Sequence, residues 1–420
     1  MAKILLLTLG SRGDVQPYAA LGRALRERGY DVTLSTSRGF EDFITNHGLT
    51  PAPLSLDIQE MMSAPEIRAA MTSARGWIRA IRMSQDLMQR QLDDMWQVAQ
   101  DTAPDLIVYH PKAFVAPYLA RALGAIAVPS FLQPAYVPTG AFAFPLLDAP
   151  SLGKFGNRLF GRTMIALMRL GYGTLLRRFL PRHPDIPRRP GLDALAGFHP
   201  DAKPVPRLHA HSAHLVPTPP DWGPDEHVTG YWFLPETHDW QPSADLAAFL
   251  AAGPPPVYIG FGSMPTIDAG QTAGTLHRAL SQSGTRAIIS KGWGALEGIT
   301  GASDIHVIDH APHDRLFPAC RAVIHHGGAG TTHEGLRWGR PTLVCPVFGD
   351  QPFWGRRISE QGAGPEPLAL KHLTEDRFRA VLDAVTSGRF DDRAVSLGDS
   401  IRAEGGATRA ADILNAVLPV

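Results

Sequence analysis

Cysteine is scarce in this chain. The 420 residues hold two, Cys320 and Cys345, with no Cys-x-x-Cys, so neither a disulfide framework nor a thiolate zinc site is expected. An excess of one charge is missing too, since Lys+Arg and Asp+Glu number 40 each. That disfavours a bulk nucleic-acid binder, whose affinity would rest on surplus positive charge. No apolar run reaches membrane-spanning length. The short run Ile4–Leu9 is followed at once by Arg12 and Asp14, so it reads as a strand and not as a signal peptide. The cytoplasm is the simplest compartment, with peripheral membrane contact left open. Two nucleotide signatures are also absent. There is no GxxxxGK followed by Ser or Thr, and the first glycine turn, "GSRGDV", is not the GxGxxG of a nicotinamide enzyme.

What is present is an ordinary globular balance, 44% apolar and 19% charged, over a length that suits two domains. The first half alternates strand and helix signals. Ile4–Leu9 is an unbroken apolar run, as a strand covered on both faces would be. Pro17 suits the first turn of the next helix, and Gly29 is a stop signal after Tyr18, Leu21 and Leu25. "DVTLST" (Asp31–Thr36), "DLIVYH" (Asp105–His110) and "AIAVPSFLQ" read as further strands. Residues 57–101 have a helical pattern, and so do 113–124 and 155–180. The chain then becomes proline-rich up to Pro206. "LHAHSAHLVP" (Leu208–Pro217) alternates like a strand. The βα rhythm restarts at "PVYIGFGS" (Pro256–Ser263) and continues through "TRAIISKG", "DIHVIDH", "AVIHHG" and "TLVCPV". Such alternation predicts parallel sheets with helices on both faces. The expected division is 1–215, a connecting segment 216–242, and 243–420, with the last helix free to pack back on the first half.

Three turns carry groups suited to chemistry. The first is "GSRGDVQP", where Asp14 sits between a buried strand and a helix. Asp14 either caps that helix or serves as a base on the floor of a site. The second is "HHGGAGTTHEG" (His325–Gly335). Its small residues let backbone N–H groups approach an anion, Thr331 and Thr332 offer hydroxyls at a helix start, and His326 adds a donor. The third is "GDQPFWG" (Gly349–Gly355). Asp350 and Gln351 together suit sugar hydroxyls, although an Asp at a helix start is also a common cap. The Met- and Trp-bearing stretch Met61–Trp96 and the Phe-rich Phe131–Phe144 are either core or the wall of an apolar pocket. The helix over 155–180, with Arg158, Arg162, Arg169, Arg177 and Arg178, is either a solvated face or one that lies on an anionic membrane.

Together these strings resemble a known family. "HHGGAGT…GLRWGRPTLVCPVFGDQPFWG" is similar to the donor-binding signature of family 1 glycosyltransferases. "GSRGDVQPYAALG" resembles the opening of their bacterial and sterol-type members. "SAHLVPTPPDWGPDEHVTGYWF…PPPVYIGFGSM" is similar to the sterol 3β-glucosyltransferases, and bacterial macrolide and glycopeptide transferases share the pattern. The resemblance is strong over the first fifty residues and from Ser212 to Gly364, and weak from 57 to 206.

The resemblance implies the α/β GT-B fold, two Rossmann-like doubly wound domains facing across a cleft. The acceptor would lie on the N-terminal domain and a nucleotide-sugar on the C-terminal one. It places Asp14 at the catalytic base. It places His326, Gly328, Gly330 and Thr331 on the diphosphate, Glu334 on the ribose, and Asp350 with Gln351 on the sugar. Ser263 falls on the facing glycine turn, and Ser11, Arg12 and Gly13 lie on the donor side of the first turn. Where plant members stack a tryptophan on uracil, this chain has "HAPH", so His310, His313 and Trp293 are the candidates beside the base. The expected activity is inverting transfer of a hexose, glucose from UDP-glucose first, to a hydroxyl of a hydrophobic acceptor such as a sterol or terpenoid. Polyketide, macrolide or lipid acceptors with a UDP- or TDP-sugar are the alternative, and a nucleotide-sugar epimerase is a rival on the same fold. A non-catalytic sugar-nucleotide-binding auxiliary protein is the reading from another class. No metal ligand set and no cofactor beyond the donor are expected.

Overall fold

The computed structural model describes residues 1–55, 74–187, 192–235, 240–262, 269–291 and 303–418. Its first sheet has seven parallel strands: β1 Lys3–Leu7, β2 Asp31–Ser37, β3 Thr50–Leu54, β4 Leu106–Tyr109, β5 Ile126–Phe131, β6 Arg207–His209 and β7 Glu226–Val228. Their order across the sheet is β3-β2-β1-β4-β5-β6-β7. The unbroken apolar run of β1 has the expected cause. Ile4 and Leu6 pack with Tyr18, Leu21 and Leu25 of the helix Arg12–Arg26 on one face, while Leu5 and Leu7 pack with Met95, Trp96 and Ile107 on the other. Truncating a side chain such as Leu6 to Ala would cost about 2–5 kcal/mol, since both faces are closed.

The second sheet has five parallel strands: β8 Val257–Gly260, β9 Ala287–Ser290, β10 Ile305–Ile308, β11 Ala322–His325 and β12 Thr342–Val344. Their order is β10-β9-β8-β11-β12. In both sheets the order reverses beside the first strand laid down, between β1 and β4 and between β8 and β11. The crevice outside the carboxyl ends of the strands at such a reversal is where doubly wound sheets bind ligands.

The boundary between the halves differs from the one expected. β7 lies inside the segment 216–242 that the sequence reads as a connection, yet it pairs with β6 in the first sheet. The chain leaves the first half just after it, at Gly230, whose φ of +92° favours glycine. The chain returns at Gly406 (φ +50°). The terminal helix Gly406–Val417 then packs Ala410, Ala411 and Leu414 into the core that holds Ile4 and Leu6, and Arg28 pairs with Asp412. The two crossings touch. A Cβ on Gly230 would sit 2.8 Å from the Cβ of Glu404, and one on Gly406 would sit 2.7 Å from the carbonyl oxygen of Tyr231.

Two local expectations also change. The helix opens at Arg12, so Pro17 lies inside it and not in its first turn. Of "LHAHSAHLVP" only Leu208 and His209 are in a strand, at the end of the three-residue β6. His209 is held there by Glu226, with Nε2 and Oε2 2.8 Å apart, and His211 is fully buried.

Candidate active site

The first reversal brings together the turns after β1 and β4. Gly10 has φ +145°, and a Cβ there would run into the Asp14 carboxylate, so only glycine lets the turn close over that side chain. Ser11 is the N-cap, and Asp14 is the third residue of the helix. This corrects the capping alternative: Asp14 is not an N-cap, but its Oδ2 accepts the Ser11 N–H at 2.9 Å, the reach-back half of a capping box. Its Oδ1 accepts from Lys112 Nζ at 2.8 Å. Lys112 also donates to the Leu9 carbonyl at 3.0 Å. Behind it, His110 is fully buried and accepts the Lys112 N–H at its Nδ1. Burial and the Lys112 charge push His110 down to about 3.

Lys112 was not legible as a site residue. Its sign was "HPK" just past a buried strand, which matters only once β4 is known to lie beside β1.

The second reversal builds the other wall. Gly327 has φ +102°, and a Cβ there would lie 2.6 Å from Val344 Cγ1 and 2.9 Å from Gln351 Cβ. Glycine therefore lets the β11 turn pass directly against the helix Gln351–Glu360. Gly328 caps the helix Ala329–Arg337, and Gly330 and the half-buried Thr331 lie in its first turn. The N–H groups there have no partners within the helix and carry its positive dipole end. The His326 ring crosses to the turn after β8, where a Cβ on Gly262 would sit 3.1 Å from its Cε1. Burial pushes His326 down to about 4, and the Gly260 carbonyl opposes this without closing a well-aligned hydrogen bond. It is therefore neutral at physiological pH and presents an N–H dipole, not a cation.

Glu334 is buried one turn further on. Trp338 Nε1 donates to its Oε1 at 2.8 Å and Arg337 at 3.3 Å, yet burial raises its carboxyl to about 7. Asp350 occupies the N-cap position of Gln351–Glu360 but makes no capping bond. Its Oδ2 instead accepts from Trp354 Nε1 at 2.8 Å, so the simple cap reading fails here as well. Burial raises the Asp350 carboxyl, Asp14 adds to the rise, and Lys112 opposes it. Asp14 is thus near enough for its charge to be felt at Asp350, although the two come from turns far apart in sequence. Gln351 turns its Oε1 onto the backbone N–H groups of Val347 and Phe348, at 2.8 and 3.2 Å, and so holds the loop that presents Asp350.

At the mouth of the cleft the exposed Arg12 and His310 meet, with Nη1 and Nε2 3.1 Å apart. His313 is set into the wall. It stacks on Phe317 with ring centroids 4.4 Å apart, and burial pushes it down to about 3. Ser11 and Gly13 are exposed beside Arg12. Ser263 and Trp293 lie outside the described residues, as does part of Met61–Trp96. Met95 and Trp96 themselves are core. Phe142, from the Phe-rich stretch, packs on Phe353 of the second half at 5.4 Å. Among the described residues no group of three or more His, Cys, Asp or Glu could hold a metal ion.

Comparison with known proteins agrees with this geometry. Residues 4–130 match the glycosyltransferase family 28 N-terminal domain, and 295–417 match the erythromycin biosynthesis protein CIII-like C-terminal domain. The chain is 31% identical over 427 residues to sterol 3-beta-glucosyltransferase UGT80B1 of Arabidopsis thaliana, covering 99% of this chain and 68% of that protein. The chain belongs to the glycosyltransferase family of this protein. A second member from the same plant, UGT80A2, is 32% identical over 96% of this chain and 64% of its own length. The chain thus spans about two thirds of these relatives. The glycotransferase of kitacinnamycin superposes with a TM-score of 0.73 at 21% identity, over 100% of this chain and 99% of that one. Its likeness establishes the GT-B fold, with both parallel-sheet halves accounted for.

Proposed function

We propose that the protein is an inverting glycosyltransferase that moves a hexose, glucose from UDP-glucose first, to a hydroxyl of a hydrophobic acceptor of the sterol or terpenoid class. The observation that carries this reading is the pair of facing reversals. Asp14 is held by Lys112 and Ser11 on one side. The uncharged, glycine-lined helix start at Gly328–Thr331, with Asp350 beside it, stands on the other. The family relationship supports it, since both plant relatives carry the name sterol 3-beta-glucosyltransferase.

In this reading the acceptor O–H gives its proton to the Asp14 carboxylate as its oxygen attacks the anomeric carbon. The new C–O bond forms on the face opposite the breaking bond to phosphate, so the configuration inverts. The nucleoside diphosphate leaves with the bonding electrons. The helix start at Gly328–Thr331 and the neutral His326 stabilise its growing charge, which makes a bound metal unnecessary to the proposal. Asp350 accepts from hydroxyls of the sugar, and Glu334 from the ribose. A UDP- or TDP-sugar acting on a polyketide or macrolide hydroxyl would use the same groups.

The test is mass spectrometry of a panel of hydroxylated terpenoids, sterols and polyketides incubated with UDP-glucose and TDP-glucose. A product heavier than the acceptor by one hexose residue, formed with equal release of nucleoside diphosphate, is expected. Isomerised nucleotide-sugar without acceptor would point to an epimerase. Tight donor binding with no turnover across the panel would point to an auxiliary binding protein.

A further inference from the structure

The helix Gly153–Phe179 has two unlike faces. One is anchored: Gly161, Ile165, Leu176 and Phe179 are buried, and Tyr172 stacks on Phe114 with centroids 4.4 Å apart. The other leaves large apolar side chains in solvent. Phe155 is 82% exposed, and Leu152, Leu159, Leu167 and Leu170 are each more than half exposed. At 100° per residue Phe155, Leu159 and Leu170 fall within one narrow stripe, with Leu152 in line just before the helix and Leu167 at its edge. Scattered exposed leucines are ordinary, but a continuous stripe on one helix marks a surface that meets something apolar.

Charge identifies the partner. The helix contains no Asp or Glu, while Lys154, Arg158, Arg162, Arg169, Arg177 and Arg178 are all exposed. Arg158 and Arg169 have acidic neighbours in Asp221 and Asp193. Lys154 and Arg162 have no ion-pair partner among the described residues. An apolar stripe on a helix without acidic residues, edged by Arg162 with no anion beside it among the described residues, matches the acyl boundary and headgroups of an anionic bilayer, where Arg stems lie along apolar surface while the guanidinium groups reach phosphate. A water-soluble protein partner would need acidic complements to these cations and an apolar patch of its own.

The face also continues towards the site. Asn157 ties the start of the helix to the preceding strap through Leu152 N–H at 2.8 Å and the Gly140 carbonyl at 3.4 Å. That strap and the helix Gln351–Glu360 enclose a cavity of about 500 Å³, lined by Phe142, Pro150, Ser151, Phe353 and Arg356 among others. The cavity wall ends one residue before Leu152.

We propose that the Leu152–Leu170 face docks the protein on an anionic membrane surface, beside the strap that borders the cleft. The face thereby brings the site to acceptors dissolved in lipid. The docking goes beyond the transferase reading and does not depend on it; only its consequence for acceptors rests on that reading.

Sedimentation with vesicles tests it, using phosphatidylcholine alone and phosphatidylcholine mixed with phosphatidylglycerol. The wild-type chain should sediment with the mixed vesicles, weakly with the neutral ones, and less as salt rises. The double variant Phe155→Asp, Leu159→Asp should bind at least roughly tenfold more weakly, since two apolar side chains lose their burial. Arg162→Gln should bind about fivefold more weakly to the anionic vesicles alone. All three proteins should melt together, because the substituted side chains are exposed. Wild-type protein that stays in solution with anionic vesicles would overturn the proposal, and so would a double variant that sediments normally. A dimer in light scattering that the double variant splits, with no vesicle binding by either protein, would overturn it in favour of self-association. No donor or acceptor is present in these measurements, so their failure leaves the transferase reading standing, and a failed transferase assay leaves the vesicle result standing.

Discussion

The two glycine turns of the cleft are built alike and equipped differently. Each follows a parallel strand at a reversal of strand order and leads into a helix. In each, a glycine with positive φ permits an approach that a Cβ would block, at Gly10 against Asp14 and at Gly327 against Gln351. The first turn folds a carboxylate back over itself and pairs it with Lys112. The second keeps charge out: its histidine is neutral by burial and its helix start offers N–H groups and the Thr331 hydroxyl. In the proposed reaction the same backbone device would serve a proton acceptor on one wall and an anion site on the other. Four residues past the glycine the first turn carries the charged Asp14 and the second the uncharged Thr331.

The sharpest way to break this comparison is Asp14→Asn. Asparagine keeps the size and can still accept the Ser11 N–H, but it takes no proton at neutral pH. Turnover should fall by roughly 10²–10⁴, with donor affinity and melting temperature near those of the wild type. A variant with full turnover at saturating acceptor would leave the first turn as a helix start and nothing more.

His326→Ala addresses the opposite wall. Losing one hydrogen bond to a charged diphosphate should weaken UDP or TDP binding by about 1.5–3 kcal/mol in calorimetry. Unchanged affinity would assign the anion site to backbone N–H groups alone.

Glu334→Gln sharpens the contrast in another way, because it separates stability from function. The folded carboxyl is raised to about 7 from an unfolded value of 4.5. Between these values the unfolded chain releases a proton that the folded chain keeps. Stability attributable to Glu334 is therefore complete below the lower value and lost as pH rises towards the upper one. The variant, which cannot ionise, should be more stable than wild type above neutrality by roughly 1–3 kcal/mol, and equal to it in acid. Urea titrations on both sides of the window measure this. Donor use should fall in the same variant if the ribose contacts this group.

The smallest effect is expected from Lys112→Met. Lys112 is nearly half exposed and its pairing with Asp14 is open to solvent, so stability should change by less than about 1 kcal/mol. Turnover should drop by less than in Asp14→Asn, because the base remains but loses one of its two anchors. A loss as large as that of Asp14→Asn would make Lys112 a direct participant.

Most of the fold could be read from the chain because parallel strands buried on both faces leave an unmistakable run, as at Ile4–Leu7 and Val323–His325. Turn chemistry placed the residues at strand ends for the same reason. Contacts between turns were hidden. Lys112 gained meaning only from the neighbour relation of β1 and β4, which is a matter of strand order and not of local pattern. Of the two readings of Asp14, cap or base, the N-cap one arose because Pro17 pointed to a later helix start, whereas Ser11 holds that position. Gln351 read as a sugar contact, and no local pattern showed that its carbonyl oxygen also secures the loop in front of Asp350. β7 escaped notice because three residues cannot show a period.

The touching glycines Gly230 and Gly406 have a mechanical consequence. A protein whose halves are joined by two separate straps can move only as a sliding or bending of both. Here the outgoing and returning backbones meet at one spot, and each passes it through a residue with no side chain to jam against the other. Such a joint would confine any turning of one half against the other to one place, and the terminal helix, packed into the core with Ile4 and Leu6, would turn with the first half. The start of the helix Ala329–Arg337 reaches this joint, since a Cβ on Gly330 would sit 2.9 Å from the Tyr231 hydroxyl, so any such turn would be felt directly at that wall of the cleft.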